Sequence, residues 1–125
     1  MAHWLYTLRP TRPEMLTEGA SDDESRSVAE HFAYLKRLVE EGRVLLVGRT
    51  QDAGPETRGL VIFESETEDE AREIMEGDPA VRQGVMHALL QPYAIALAGR
   101  IPPTPEGCGT SQADRSRLPR GVGDE

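Results

Sequence analysis

SVAEHFAYLKRLVEEGRVLLVG, residues 27–48, holds a helix, a stop and a strand, and the rest of the chain is read outward from it. Val28, Phe32, Leu35, Leu38 and Val39 recur at three- and four-residue steps, which places them on one helix face at about 100° per residue. His31 lies on that same face, whereas Glu30, Lys36, Arg37, Glu40 and Glu41 fall mostly on the opposite, solvated side. Gly42 supplies the positive φ that closes a helix without Cβ strain, and Val44 to Val47 follow as a short, wholly apolar strand. An imidazole directed into a small domain is the leading candidate for chemistry.

Toward the N-terminus, His3 to Leu8 reads as a strand stopped by Pro10, with Trp4, Tyr6 and Leu8 on one face and His3, Leu5 and Thr7 on the other. Residues 9–26, punctuated by Pro10, Pro13 and Gly19, read as a long charged loop whose Met15 and Leu16 give it something to dock with. Ser21, Asp22 or Asp23 is placed to cap the following helix, with acidic residues at its positive end. Toward the C-terminus, a turn-rich connection with Gly54, Pro55 and Gly59 leads to a strand at Leu60–Glu64, close enough to the previous one for an antiparallel hairpin. Ser65 or Thr67 opens a second helix, and Thr67 with Glu70 has capping-box spacing. Its inner stripe is Ala71, Ile74 and Met75, and Gly77 followed by Asp78-Pro79 ends it. Residues 80–86 read as a short turn or half-helix, and Ala88–Ala98 as a last strand in which Pro92 marks an edge or a bulge.

The order β, α, β, β, α, β predicts an α+β, ferredoxin-like sandwich: a four-stranded antiparallel sheet with both helices on one face. Apolar residues on both faces of the strands predict that a second copy covers the other face, giving a homodimer. Residues 1–99 are read as one domain. Residues 100–125, eight of them Pro or Gly, are read as a disordered tail.

Composition narrows the function. The formal charge of −8 sits in residues 1–99, which carry ten Lys or Arg and eighteen Asp or Glu. Such acidity opposes nucleic acid and anionic membrane as partners. The single cysteine, Cys108, cannot form an intramolecular disulfide and has no base partner, and MAHWLYTLRP lacks a basic region followed by a long apolar run. The expected location is the cytoplasm. His3, His31 and His87 are scattered and no metal-ligating spacing occurs, so no metal is expected; GPETRG lies between strands and is no phosphate cradle, so no cofactor is expected.

HFAYLKRLVEEGRVLLVGRT, with DPAVRQGVM and the QPY that follows it, resembles the YCII-related (YciI-like) family of the dimeric α+β barrel superfamily over roughly residues 3–99. The resemblance implies an active-site dyad of His31 and Asp78, able to move a proton on a small substrate in lyase, isomerase or dehalogenating elimination chemistry. Many members have Gly-Pro where this chain has Gly48-Arg49, which puts the Arg49 guanidinium near the expected cleft rim. Tyr6, Tyr34 and Met86 are read with Arg49 as candidate substrate-binding residues, although such residues also serve as core. Taken alone, His31 also fits a hydrogen-bonded core residue and Asp78 a helix stop. Two readings stay open: a cofactor-free acid–base enzyme, and a non-catalytic module that binds an unknown small molecule.

Overall fold

The computed structural model describes residues 2–52 and 56–101. Gly54, Pro55 and Cys108, and the tail beyond Ile101, lie outside the described residues. The elements run β1 (Ala2–Pro10), α1 (Glu14–Thr17), α2 (Asp22–Glu40), β2 (Val44–Arg49), β3 (Gly59–Ser65), α3 (Glu68–Gly77), α4 (Pro79–Arg82) and β4 (Met86–Tyr93). They form one four-stranded sheet in the order β2-β3-β1-β4, with every neighbouring pair antiparallel. This is the βαββαβ sandwich expected from the pattern, with two one-turn helices added.

The segment read as a long loop is shorter than expected. Residues 14–17 form a helical turn, and α2 starts at Asp22, six residues before the apolar stripe begins at Val28. Capping sets that start. Ser21 accepts from the Glu24 N–H at 3.1 Å while the Glu24 carboxylate accepts from the Ser21 N–H at 2.8 Å, so two donors that the first turn would leave without partners are satisfied reciprocally. Arg12 then grips the same carboxylate through Nε at 2.9 Å and Nη2 at 2.7 Å and also reaches the Gly19 carbonyl, folding the preceding segment back onto the helix. These partners pull the Glu24 carboxyl down to about 2, with the Arg12 hydrogen bonds as the largest cause.

At its other end α2 closes on Gly42, whose φ is +81°. The Gly42 N–H donates to Val39 O and the Arg43 N–H to Leu38 O, the paired bonds of a Schellman stop. Gly84, at φ +78°, repeats this after α4, where Gly84 and Val85 donate to Val81 and Ala80.

The core lies between the helices and one face of the sheet. Trp4, Tyr6 and Leu8 of β1, Val61 and Phe63 of β3, Leu35 and Leu38 of α2, and Ala71, Ile74 and Met75 of α3 are buried together. The stripe of α2 rotates slightly from its expected position, so that Ser27 is buried, Val28 and Phe32 are half-buried, and Val39 is 46 % exposed. On the opposite face of the sheet, Leu5, Leu60 and Ile62 are half-buried, Leu46 and Tyr93 are exposed, and Leu89 is 59 % exposed. β2 forms where its wholly apolar sequence placed a strand, and it lies on the edge of the sheet. A register shift between Val44 and Leu46 sets Leu45 out of the ladder, and Leu45, Leu46 and Val47 are all exposed on this edge strand.

β4 is also shorter than read. It ends at Tyr93, which lies opposite His3, one residue from the start of β1. Ile95 and Leu97, expected in the strand, lie beyond it, and Leu97 is 94 % exposed. Pro92 sits on the edge strand opposite Trp4, where its missing N–H costs little.

Candidate active site

Asp78 is placed by the junction between two helices. Proline at 79 forbids continuation of α3 and suits the first position of α4, and Asp78, at φ −64° and ψ 124°, ends one helix and caps the next. Its Oδ1 accepts the Ala80 N–H at 3.0 Å, so the cap fixes the side chain. The junction is pinned to α2 by a second contact, in which the buried Ser27 hydroxyl donates to Gln83 Oε1 and Gln83 Nε2 donates to Glu30.

His31 comes to this carboxylate from α2. Its Nδ1 lies 2.8 Å from both Oδ1 and Oδ2 of Asp78, a contact across 47 positions of sequence. The carboxylate is fully buried while the imidazole keeps 14 % of its side-chain surface. From below, the hydroxyl of Tyr6, wholly buried on β1, donates to Asp78 Oδ2 at 2.8 Å. Asp78 is therefore held by donors from three elements, and no buried side-chain polar atom among the described residues lacks a partner. Burial, with the Asp78 charge as a lesser cause, pushes the Tyr6 phenol far above its ordinary value of 10.0 and keeps it a donor. A carboxylate is acceptor-only, so the imidazole proton facing it belongs on Nδ1 and the lone pair of the neutral ring on Nε2.

The structure brings His31, Asp78 and Tyr6 together and distributes the other expected site residues elsewhere. Tyr6 is too deep to line an open cleft; its partner is the carboxylate. The Tyr34 hydroxyl donates to Ile74 O at 2.8 Å, and its ring carries the Arg37 guanidinium 5.5 Å from its centroid. Tyr34 thus lines a groove of about 430 Å³ between α2 and α3, with Arg37, Arg43, Glu70 and Glu73. Its phenol is raised, first by desolvation and then by the Asp78 charge, so it still feels the dyad. Gly77 makes this approach possible, because a Cβ there would stand 3.0 Å from the Tyr34 hydroxyl. Arg49 ends the edge strand β2 opposite Gly59, exposed and two strands away from Tyr6, and Met86 opens β4 opposite Pro10, half-buried against the core. Among the described residues no group of three His, Cys, Asp or Glu side chains is arranged to hold a metal. No described helix is long and apolar enough to cross a membrane.

A split-βαβ sandwich with a mostly buried imidazole seated on a buried, multiply held carboxylate defines a small α+β protein with a histidine–aspartate pair between its helices and its sheet. The YCII-related domain matches residues 5–90, and the chain belongs to that family. It is 36 % identical over 81 residues to the uncharacterized protein YjpA of Bacillus subtilis (strain 168), an alignment spanning 65 % of this chain and 92 % of that one. Among solved structures it is similar to 5-chloro-2-hydroxyhydroquinone dehydrochlorinase (TftG) from Burkholderia phenoliruptrix AC1100, in complex with 2,5-dihydroxybenzoquinone. The TM-score is 0.54 at 24 % identity, over 73 % of this chain and 93 % of that one. At that identity the likeness carries the fold alone.

Proposed function

We propose that the protein is a cofactor-independent enzyme that moves a proton on a small ring compound, in a lyase, isomerase or dehalogenating elimination, with His31 as general base and acid and Asp78 as its partner. The observation that carries this reading is the 2.8 Å contact between Nδ1 of His31, whose imidazole keeps a small part of its surface open, and the buried carboxylate of Asp78. Such a carboxylate holds the ring in one tautomer and stabilises the imidazolium formed when Nε2 takes a proton. In a dehydrochlorination the balance closes without an oxidant: Nε2 removes a proton, its electron pair forms the new π bond, chloride leaves with the pair of the broken C–Cl bond, and the imidazolium returns the proton to water. The fold shared with a dehydrochlorinase makes hydroxylated, chlorinated hydroquinones the first compounds to try.

We also read the uncovered face of the sheet as the seat of a second copy. Leu5, Leu46, Leu60, Ile62, Leu89 and Tyr93 present apolar surface there that a single chain leaves in water.

The test is chloride release from 5-chloro-2-hydroxyhydroquinone and binding of 2,5-dihydroxybenzoquinone, each measured for the protein and for His31→Ala. Turnover abolished by the substitution is the expected result. Quinone binding that survives His31→Ala, with no turnover by either protein, would leave the binding-module reading in its place.

A further inference from the structure

Tyr6 stands apart from the usual acid–base pair because it never meets solvent. It lies on the inner face of β1, between Val61 on one neighbouring strand and Leu90 on the other, with its ring edge-on to Phe63 at 5.7 Å and 71°. An apolar site of that shape would accept phenylalanine. The hydroxyl that tyrosine adds would be costly to bury without a partner, and the partner it has is the one buried carboxylate of the site, at 2.8 Å across 72 positions of sequence.

We infer that Tyr6 is a positioning residue for the acid–base pair: its hydroxyl fixes Asp78 Oδ2 and shares the charge of the carboxylate, and so governs how tightly Asp78 holds the Nδ1 proton of His31. This rests on the reading of His31 as the proton carrier. Three donors converge on two oxygens. The Ala80 N–H takes Oδ1, the Tyr6 O–H takes Oδ2, and His31 Nδ1 bridges both. Hydrogen bonds to one acceptor compete for its charge, so each donor weakens the hold on the others. A carboxylate with no phenol on it would grip the imidazolium more strongly and slow the return of the proton from Nε2 that turnover requires. The buried phenol, kept protonated far above its ordinary range, holds that grip at a level the cycle can reverse. Tyr6 touches no substrate in this arrangement, and it acts on the chemistry through Asp78.

The experiment reads the His31 ring directly and needs no substrate. With only three histidines in the chain, the nitrogen-15 spectrum of the labelled protein is assigned by single substitutions. In the natural protein, above the pH at which the ring is neutral, His31 is expected as the Nδ1–H tautomer with a strongly deshielded proton. Tyr6→Phe is expected to move that proton further downfield. Replacing all three tyrosines with 3-fluorotyrosine, whose more acidic phenol donates more strongly, should move it upfield, and this version keeps the hydroxyl if Tyr6→Phe does not fold. Tyr34→Phe, whose hydroxyl serves the Ile74 carbonyl, should leave the resonance in place. An unmoved proton in Tyr6→Phe, an equal movement in Tyr34→Phe, or an Nε2–H tautomer in the natural protein would each overturn the inference. If chloride release is observed, Tyr6→Phe should lower kcat about fivefold, the net worth of one such hydrogen bond, with KM unchanged. A raised KM with kcat kept would make Tyr6 a substrate contact and refute the positioning role. Absence of turnover with this compound would count against the proposed activity alone, because the ring spectra decide the role of Tyr6 without it.

Discussion

Replacing Asp78 by asparagine keeps the shape of the side chain and turns one of its two acceptors into a donor. The amide oxygen can still take the Ala80 N–H, so the cap of α4 survives. The amide nitrogen then faces His31 Nδ1 and the Tyr6 hydroxyl, both donors in the natural protein. The conflict is relieved if the phenol oxygen accepts and the imidazole moves its proton to Nε2, which leaves no lone pair to receive a proton from substrate. In a serine-protease triad the corresponding change costs about 10⁴ in kcat through the same wrong tautomer, and a loss on the order of 10³ to 10⁴ is expected here. The stability cost should be small, about 1 kcal/mol, because every buried group finds a new partner. Asp78→Ala separates the two effects. It removes the cap, worth roughly 0.5–2 kcal/mol, and strands a wholly buried Tyr6 hydroxyl, worth roughly 1–3 kcal/mol. At ~4–8 °C per kcal/mol, a fall in Tm of roughly 10 °C or more is expected for a domain of this size. Calorimetry on both variants, with chloride release from 5-chloro-2-hydroxyhydroquinone, checks the pair. Asp78→Asn retaining activity within about tenfold would refute the tautomer argument. Asp78→Ala melting within about 3 °C of the natural protein would refute the burial argument.

Further outcomes follow from other parts of the structure. Glu24 is held at about 2 in the fold against an ordinary 4.5, so its contribution to stability is complete above 4.5 and is lost as pH falls toward 2; Glu24→Gln should flatten melting curves across that window and leave a neutral-pH deficit. An unchanged acid limb would show that the Arg12 and Ser21 contacts do not form in solution. Ser21→Ala should cost about 1 kcal/mol, read as a lower urea midpoint at constant m-value. Ile62→Glu on the uncovered face of the sheet should convert a dimer into a monomer by light scattering, and a natural protein that is already monomeric at micromolar concentration would remove the dimer reading. Deleting residues 102–125 should leave Tm unchanged, since that composition carries little apolar surface to bury, and a fall of several degrees would contradict this.

Elements and faces were readable from the sequence because both are local. The 3.6-residue recurrence of Leu35 and Leu38, the alternation of Trp4, Tyr6 and Leu8, the Gly42 stop and the Asp78-Pro79 break each follow from chain geometry within a few residues, and all of them stand in the fold. The βαββαβ order and the family resemblance came from the same level. Long-range placement did not. Where β4 stops pairing with β1, and that β2 lies on an exposed edge, depend on strand order and register, so the apolar run at Ile95–Leu97 was read as strand although it lies beyond β4. The start of α2 was open among Ser21, Asp22 and Asp23 until the reciprocal bonds with Glu24 and the clamp of Arg12 selected Ser21.

For the candidate site, the sequence supplied a set of side chains, and only tertiary structure decided which of them meet. His31 and Asp78 were paired by resemblance alone, because no local rule joins residues 47 positions apart. The packing of α2 and α4 over the sheet brings them to 2.8 Å. The same packing sends Tyr34 to the groove beside α3, leaves Arg49 on the outer edge, and puts the Tyr6 hydroxyl beneath the carboxylate rather than in a cleft. An inward side chain on a strand can be recognised from its alternation, whereas the polar atom it meets is set by the element that crosses above it.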